Sequence, residues 1–231
     1  MSKKKIVVLT GAGISQESGL KTFRGEDGLW EGHSIYDVAT PESWSKDPRL
    51  VQKFYNERRK GVLAAEPNKA HLALVELELK YEVSIITQNI DDLHERAGST
   101  NIVHLHGLIT KSQSSINPDL TYDILGDTIN KGQLCELGSQ LRPHVVWFGE
   151  AVPMMEVAAK LVIETDYLIV IGTSLQVYPA AGLVNYTNKG CEIIVIDPKA
   201  VDLIKSPKAL SIPKKAQEGT LELVKQLLAN S

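Results

Sequence analysis

Cysteine is almost missing from this chain: Cys135 and Cys191 are the only two in 231 residues. So few, so far apart, they exclude the disulfide framework that staples small secreted domains. Long apolar runs are missing as well. No stretch approaches the ~20 residues of a membrane-spanning helix, and no signal peptide precedes the first strand-like run. The expectation is a soluble, cytoplasmic protein with no membrane partner. A basic surplus is also lacking, since 25 Lys and Arg face 28 Asp and Glu, for a net charge of −3 and a pI near 6.1. That leaves no electrostatic footprint for nucleic acid. The Lys3–Lys5 run reads as a solvated entry to the first strand. Neither internal repeats nor low-complexity tracts occur.

What is present is a chain with 43% apolar and 23% charged residues, long enough to bury a proper core. Short Val/Ile/Leu runs recur with helical stretches between them: "KIVVLT" (5–10), "VSIIT" (83–87), "IVHLH" (102–106), "HVVWF" (144–148), "YLIVIG" (167–172) and "EIIVID" (192–197). Such runs mark parallel strands buried on both faces. Helices are expected over 47–65, with Pro48 in the first turn, and over 68–80, 153–163 and 217–228. The fold class is therefore α/β, a Rossmann-like doubly wound parallel sheet.

Two regions do not fit a plain sheet. Residues 19–66 form an excursion of loop and helix, and 108–143 are polar and turn-rich. They suggest a second, smaller lobe from about 28–66 and 108–143. It would pack on a main lobe of about 1–27, 67–107 and 144–231, leaving a cleft between them.

"VVLTGAGIS" (7–15) runs from a strand into Gly11-Ala12-Gly13. Glycines there let backbone approach a pyrophosphate, whose charge free amides would meet; a glycine turn that binds nothing is the alternative. A hydride-transferring dehydrogenase should show a second strand ending in an acidic residue ~20 residues later. "ESGLKTFRGEDGLWEGHSIYD" contains no such strand. The acidic strand end comes much later, as Asp197.

"TFRG" (22–25), "TQNIDDLH" (87–94), "HLHG" (104–107), "RPHVVWFGE" (142–150) and "GTSLQVYPAAGL" (172–183) all fall at or after C-terminal strand ends, the rim where open α/β sheets bind ligands. Together these blocks closely resemble the sirtuins, the NAD-dependent protein-lysine deacylases, over roughly residues 5–228. The resemblance implies that NAD and an acyl-lysine protein or peptide meet in the cleft. It gives Gly11, Ala12, Gly13, Ile14, Thr22, Phe23, Arg24 and Trp30 to the NAD loop, and Gln88, Asn89, Ile90 and Asp91 to the nicotinamide-ribose site. Gly172, Thr173, Ser174, Asp197 and Ala216 would lie along phosphate, ribose and adenine.

His106 matches the family's catalytic histidine, with Asn89 beside it. In the family scheme the acyl oxygen displaces nicotinamide, and the histidine activates a ribose hydroxyl. Water then completes release of lysine and an O-acyl-ADP-ribose. Val146, Phe148, Gly149, Glu150, Val177 and Tyr178 resemble the two segments that clamp the peptide in extended form. His104 is assigned no chemistry, and His33, His71, His94 and His144 read as surface or packing residues.

Two departures stand out. Most sirtuins hold a structural zinc with two Cys-x-x-Cys pairs, and here those positions read Ser114, Asn117, Leu134 and Leu137, with Cys135 alone and out of register. Zinc needs four Cys- or His-type ligands, so none is expected. Apolar packing by Leu120, Tyr122, Ile124, Leu125, Ile129, Leu134 and Leu137 is expected to hold the lobe instead. The second departure is Asp197, where the family usually has asparagine; both side chains accept from ribose hydroxyls.

"FYNERR" (54–59) matches the Tyr-x-x-Arg pair of the sirtuin class that removes succinyl and malonyl groups. Arg58 offers a planar fork for the acyl carboxylate and Tyr55 a hydroxyl donor beside it. Ala39 resembles the small residue that leaves room for the longer chain, and Glu57 and Arg59 are expected on the solvated face. Acetyl-lysine should be accepted too. A mono-ADP-ribosyltransferase or a non-catalytic ADP-ribose-binding module are the competing readings, and a monomer is expected.

Overall fold

The structure is a computed structural model describing residues 3–22, 30, 32–200 and 209–230. Six parallel strands make the main sheet: β1 Lys5–Thr10, β2 Glu82–Thr87, β3 Ile102–His104, β7 Tyr167–Ile171, β8 Glu192–Ile196 and β9 Ala209–Ile212, in the order β3-β2-β1-β7-β8-β9. The sheet is Rossmann-like, and the strand order reverses between β1 and β7. Thr10 pairs in register with both Thr87 and Ile171, so the C-terminal ends of the three central strands finish level.

The alternation along β1 shows why this run is a strand. Ile6 and Val8 join one core cluster, while Val7 and Leu9 join the other on the opposite face. On the first face lie α5 Lys69–Leu77 and α8 Ala216–Ala229, burying Leu74, Leu77, Leu223 and Val224. On the second lie α7 Met155–Ile163 and a 3-10 segment at Ala180–Tyr186, burying Ala158, Val162 and Leu183. Each such aliphatic contributes about 1.5–3 kcal/mol by leaving water.

A second sheet has three antiparallel strands, β4 Gly107–Ser114, β5 Thr121–Asp123 and β6 Leu141–Val145, in the order β5-β4-β6. A third core cluster joins it to α2 Ile35–Val38, α3 Pro41–Lys46 and α4 Pro48–Ala64 through Val38, Val51, Phe54, Tyr55, Ile109, Val145 and Trp147. The expected start of α4 is met. Pro48 opens the helix and the Asp47 carboxylate accepts from the amides of Arg49 and Leu50. Among the described residues no helix is long and apolar enough to cross a membrane.

Several expectations are corrected. The strand at 144–148 runs instead from Leu141 to Val145 and pairs in the small sheet; its apolar character reports burial between layers, which does not say which sheet it joins. The short "ALSI" run of β9 takes the edge of the main sheet. The strand at 102–106 ends at His104. Residues 108–143, read as turn-rich, carry most of β4 and all of β5.

In that region Ile129 is 2% exposed, but Leu125 is 98%, Leu134 55% and Leu137 56% exposed. These leucines do not hold the lobe. Side chains of α4 reach into it: Gln52 Nε2 and Asn56 Nδ2 both donate to the Ile129 carbonyl, and Ile129 N donates back to Asn56 Oδ1.

Arg59, expected on the solvated face, is 0% exposed. Its Nε donates to Ile109 O at 2.6 Å, and its Nη1 to Asp127 O and Asn56 Oδ1. Burial lowers its pKa to about 10, so it stays charged, solvated by carbonyl oxygens. Gln52, Asn56 and Arg59 lie four and three residues apart on one helical stripe.

Candidate active site

The glycine turn closes on another turn. Gly11, in extended conformation, caps the four-residue α1 Ala12–Ser15. Its amide donates to Ile171 O at 3.0 Å, and Gly13 N donates to Gly172 O at 2.8 Å. A Cβ on Gly11 would fall 2.7 Å from Thr173 Cβ, and one on Gly13 2.6 Å from Gly172 Cα. Gly172 itself has φ +61°, a left-handed conformation that suits glycine. The turns after β1 and β7 therefore press backbone to backbone where the strand order reverses, the place where doubly wound sheets bind ligands. The glycines serve this contact, whatever else they serve.

A polar network grows from it. Asn89 Nδ2 donates to Gly11 O at 3.2 Å and Ser15 Oγ at 3.1 Å, and Ser15 Oγ donates to Asp91 Oδ2 at 3.0 Å. Gln88 Nε2 donates to Thr173 Oγ1 at 3.0 Å, linking the ends of β2 and β7. Burial pushes the Asp91 carboxyl above its ordinary value, against the bonds it accepts from Leu93 N and Ser15. Buried carboxylates perturbed in this way cluster at functional sites, though structural networks produce them too.

His106 joins through Nδ1, 2.8 Å from Gln88 O. A carbonyl only accepts, so Nδ1 carries the proton and Nε2 of the neutral ring is left as an acceptor. Burial lowers the His106 pKa below 6.5, partly opposed by the Gln88 bond, which keeps the imidazole neutral at pH 7. His104 pairs through Nε2 with Glu95 Oε1 at 2.6 Å, its Nδ1 lying 3.3 Å from Asn89 O. His71 on α5 and His94 on α6 Leu93–Ala97 are buried with rings 4.9 Å apart, and His94 Nε2 lies 3.1 Å from Thr10 Oγ1.

The other cofactor candidates are spread more widely. Ala12 is half-buried, Ile14 buried, and Ile90 O accepts from Ile109 N at 2.8 Å. Ser174 is exposed beside buried Thr173. Asp197 ends β8, its Oδ1 accepting from Lys199 N, and Ala216 opens α8 at 5% exposure. Neither Asp197 nor Ala216 is bonded to the network around Asn89. Thr22 is half-buried; Phe23 and Arg24 lie outside the described residues. Trp30 packs edge-on against Phe54 and Tyr55.

On the substrate side, Val146 N donates to His106 O at 2.9 Å and Phe148 N to the carbonyl of buried Ala39 at 3.0 Å. Gly149 takes φ +91°. Both carboxylate oxygens of Glu150 are engaged, one by Arg142 Nη2 at 2.6 Å and one by Trp147 N at 2.8 Å. Tyr178 is exposed, and Val177 O accepts from Ala181 N.

Tyr55 and Arg58 flank Trp30 and diverge beyond it. Tyr55 is 0% exposed and its oxygen accepts from Trp147 Nε1 at 3.1 Å. The Arg58 guanidinium lies 4.8 Å from the Trp30 ring centre. A cavity of about 450 Å³ opens beside it, walled by Leu20, His33, Phe54, Arg58 and Gly61.

Sequence reading missed four residues of this region. Ser15 could have been found, since it ends the "GAGIS" motif. Arg142 and Trp147 sat inside a quoted block without a role. Arg59 gave no signal, because its acceptors are backbone carbonyls distant in sequence.

The zinc positions do not suit a metal. Ser114 Oγ bonds Ser139 Oγ at 2.9 Å and accepts from Ile116 N and Asn117 N, while Cys135 Sγ lies 3.1 Å from Ser139 Oγ. Among the described residues no group of three or more His, Cys, Asp or Glu could hold a metal ion.

Comparison with known proteins places the chain. The Sir2 family model matches residues 11–179. An NAD-dependent protein deacylase of Helicobacter pylori is 51% identical over 225 residues, covering 97% of this chain and 98% of its own. One of Bacteroides thetaiotaomicron is 50% identical over 230 residues, covering 97% and 98%. A solved Sir2 homologue–NAD complex superposes with a TM-score of 0.88 at 40% identity, over 99% of this chain and 91% of the other.

Proposed function

The chain belongs to the Sir2 family, and on that premise we propose that it is an NAD-dependent protein-lysine deacylase acting on acidic acyl groups, succinyl and malonyl, as well as acetyl. The observation that carries the deacylase reading is a pair of hydrogen-bonded groups at the strand-order reversal, Gly11–Asn89–Ser15–Asp91 and Thr173–Gln88–His106, joined where Gln88 and Asn89 adjoin in the chain. NAD, when bound there, supplies a ribose carbon with nicotinamide as leaving group. Asn89, Asp91 and Ser15 orient polar groups at the nicotinamide-ribose end. Asp197 gives a further acceptor for ribose hydroxyls at the end of β8. His106, with Nδ1–H held on Gln88 O, offers neutral Nε2 to take a hydroxyl proton. The lobe carries no zinc in this reading, since serine and leucine stand where cysteines would be, and near one zinc per purified chain would overturn that point.

The acidic-acyl preference rests on Tyr55 and Arg58 of α4; Tyr55 shares a core cluster with Ala39, Trp147 and Phe148, and Arg58 lies over the Trp30 ring. Tyr55 is fully covered and the Arg58 guanidinium lies over the Trp30 ring in this state, so both side chains have to become accessible before an acyl carboxylate can meet them. The test is an NAD-dependent panel of acetyl-, malonyl-, succinyl- and glutaryl-lysine peptides with the wild type and Arg58→Met. Loss of a buried charged partner costs roughly 2–5 kcal/mol, so desuccinylation should fall about 30-fold or more while deacetylation changes little. Equal losses on both substrates remove the acyl assignment. Nicotinamide release that ignores acyl-peptide removes the deacylase reading.

A further inference from the structure

Trp147 is 3% exposed, and nothing in the cofactor site uses it. Its indole Nε1 stands 3.1 Å from the Tyr55 oxygen. An indole N–H can only donate, so the tyrosine oxygen must accept at that contact. The phenol's own hydrogen is then directed elsewhere. Tyr55 makes no other side-chain hydrogen bond among the described residues and is enclosed by protein. A buried hydroxyl hydrogen without an acceptor is costly. Such a donor suits a ligand that brings an acceptor.

The indole is itself locked in place. Trp147 N donates to Glu150 Oε2 at 2.8 Å, and the Arg142 guanidinium covers the ring at 3.9 Å. Arg142 is held in turn by Glu150 Oε1 at 2.6 Å and by Val145 O at 3.3 Å. Trp44 packs against the indole at 5.7 Å. The N–H that meets Tyr55 is therefore aimed by a part-buried ion pair between Arg142 of β6 and Glu150 in the loop after it.

We propose that Trp147 is a positioning residue for acyl selection: by making the Tyr55 oxygen an acceptor, it turns the Tyr55 hydroxyl into an outward donor for the carboxylate of an acidic acyl-lysine. The proposal rests on the reading of Tyr55 and Arg58 as the pair that meets that carboxylate. Acetyl-lysine carries no distal carboxylate, so Trp147 is silent toward it.

The experiment compares wild type, Trp147→Phe, Tyr55→Phe and the double variant on succinyl- and acetyl-lysine forms of one peptide at saturating NAD. Losing the aimed hydrogen bond should raise the succinyl-peptide KM about five- to tenfold. The kcat and the acetyl-peptide KM should move less than about twofold. In the Tyr55→Phe background, Trp147→Phe should add nothing, because the hydroxyl it directs is gone. If Trp147→Phe fails to fold, benzothienylalanine at 147 replaces the N–H with sulfur at nearly constant shape and should give the same KM shift.

Equal losses on both substrates, or the full Trp147→Phe effect persisting without the Tyr55 hydroxyl, overturn the proposal. Discrimination by Tyr55→Phe and Arg58→Met, with none by Trp147→Phe, overturns it alone. If Tyr55→Phe and Arg58→Met both treat the two substrates alike, the acidic-acyl reading falls and takes the proposal with it.

Discussion

The two sheets of this molecule both bury apolar side chains, but only the small one is also gripped by a polar clamp. The parallel sheet is buried on both faces by aliphatic side chains, with Ile6, Val8, Leu168, Ile169, Val170 and Ile171 all at 0% exposure. The three-stranded sheet has exposed leucines at its far end, and polar side chains of α4 grip its backbone. Gln52 and Asn56 take the Ile129 peptide unit, and Arg59 takes Ile109 and Asp127. Aliphatic burial is diffuse and tolerates many sequences. A clamp of directed hydrogen bonds depends on a few atoms. Here those bonds come from the helix that carries Tyr55 and Arg58. Lobe anchoring and the proposed acyl recognition thus share one helix.

That contrast can be broken at several points. Ile169→Ala, in the middle of β7, should cost about 2–5 kcal/mol and lower the single unfolding midpoint seen by thermal melting. A loss below about 1 kcal/mol would mean that the sheet is not the stability core.

Acid should strike the same lobe next. Burial holds the His71 pKa at about 4 against an ordinary 6.5, and His94 also lies well below 6.5. Below pH 6.5 the unfolded chain binds more protons at these sites, so stability is full above 6.5 and falls as pH drops toward 4. His71 alone accounts for roughly 3 kcal/mol at pH 4. Urea titrations at pH 7, 5.5 and 4.5 would show the decline, and a flat profile would contradict it.

Arg59→Met should remove about 2 kcal/mol, but locally. Hydrogen exchange should accelerate in β4 and around Ile129 while β1 and β7 stay protected. Uniform acceleration would mean that the clamp and the main core are one unit. The smallest effect is expected at Leu125, Leu134 and Leu137. Changing each to serine should shift stability by no more than about 0.5 kcal/mol, and larger losses in melting would restore apolar packing as what holds the lobe.

The sequence was legible where its physics is local. β1, β2, β7 and β8 announced themselves as Val/Ile runs, and α4 by its Pro48 start and amphipathic face. The site residues at the strand ends were legible as quoted blocks: "GAGIS", "TQNID" and "HLHG" each supply members of the network around Asn89. The failures share one cause. Arg59 sits beside Arg58 with the same chemistry, and only the side of the helix turned toward Ile109 decides that one is sealed inside. The run at 141–148 is apolar in either sheet, and its pairing with β4 depends on a partner more than twenty residues away. Nor could the sequence show that the oxygen of Tyr55, read as a donor, also accepts from Trp147, ninety-two residues on.

The amino-acid sequence alone determined the class of fold, the glycine turn, the set of polar residues at the strand ends and the missing zinc cysteines. Each follows from residue identity and short-range spacing. Only the tertiary structure decided why Gly11 and Gly13 must be glycine, which nitrogen of His106 is left to accept a proton, what grips the small sheet, and that the Tyr55 oxygen accepts from Trp147. Those are properties of contacts between distant segments, where one donor or one ångström sets the outcome, and no local pattern encodes them.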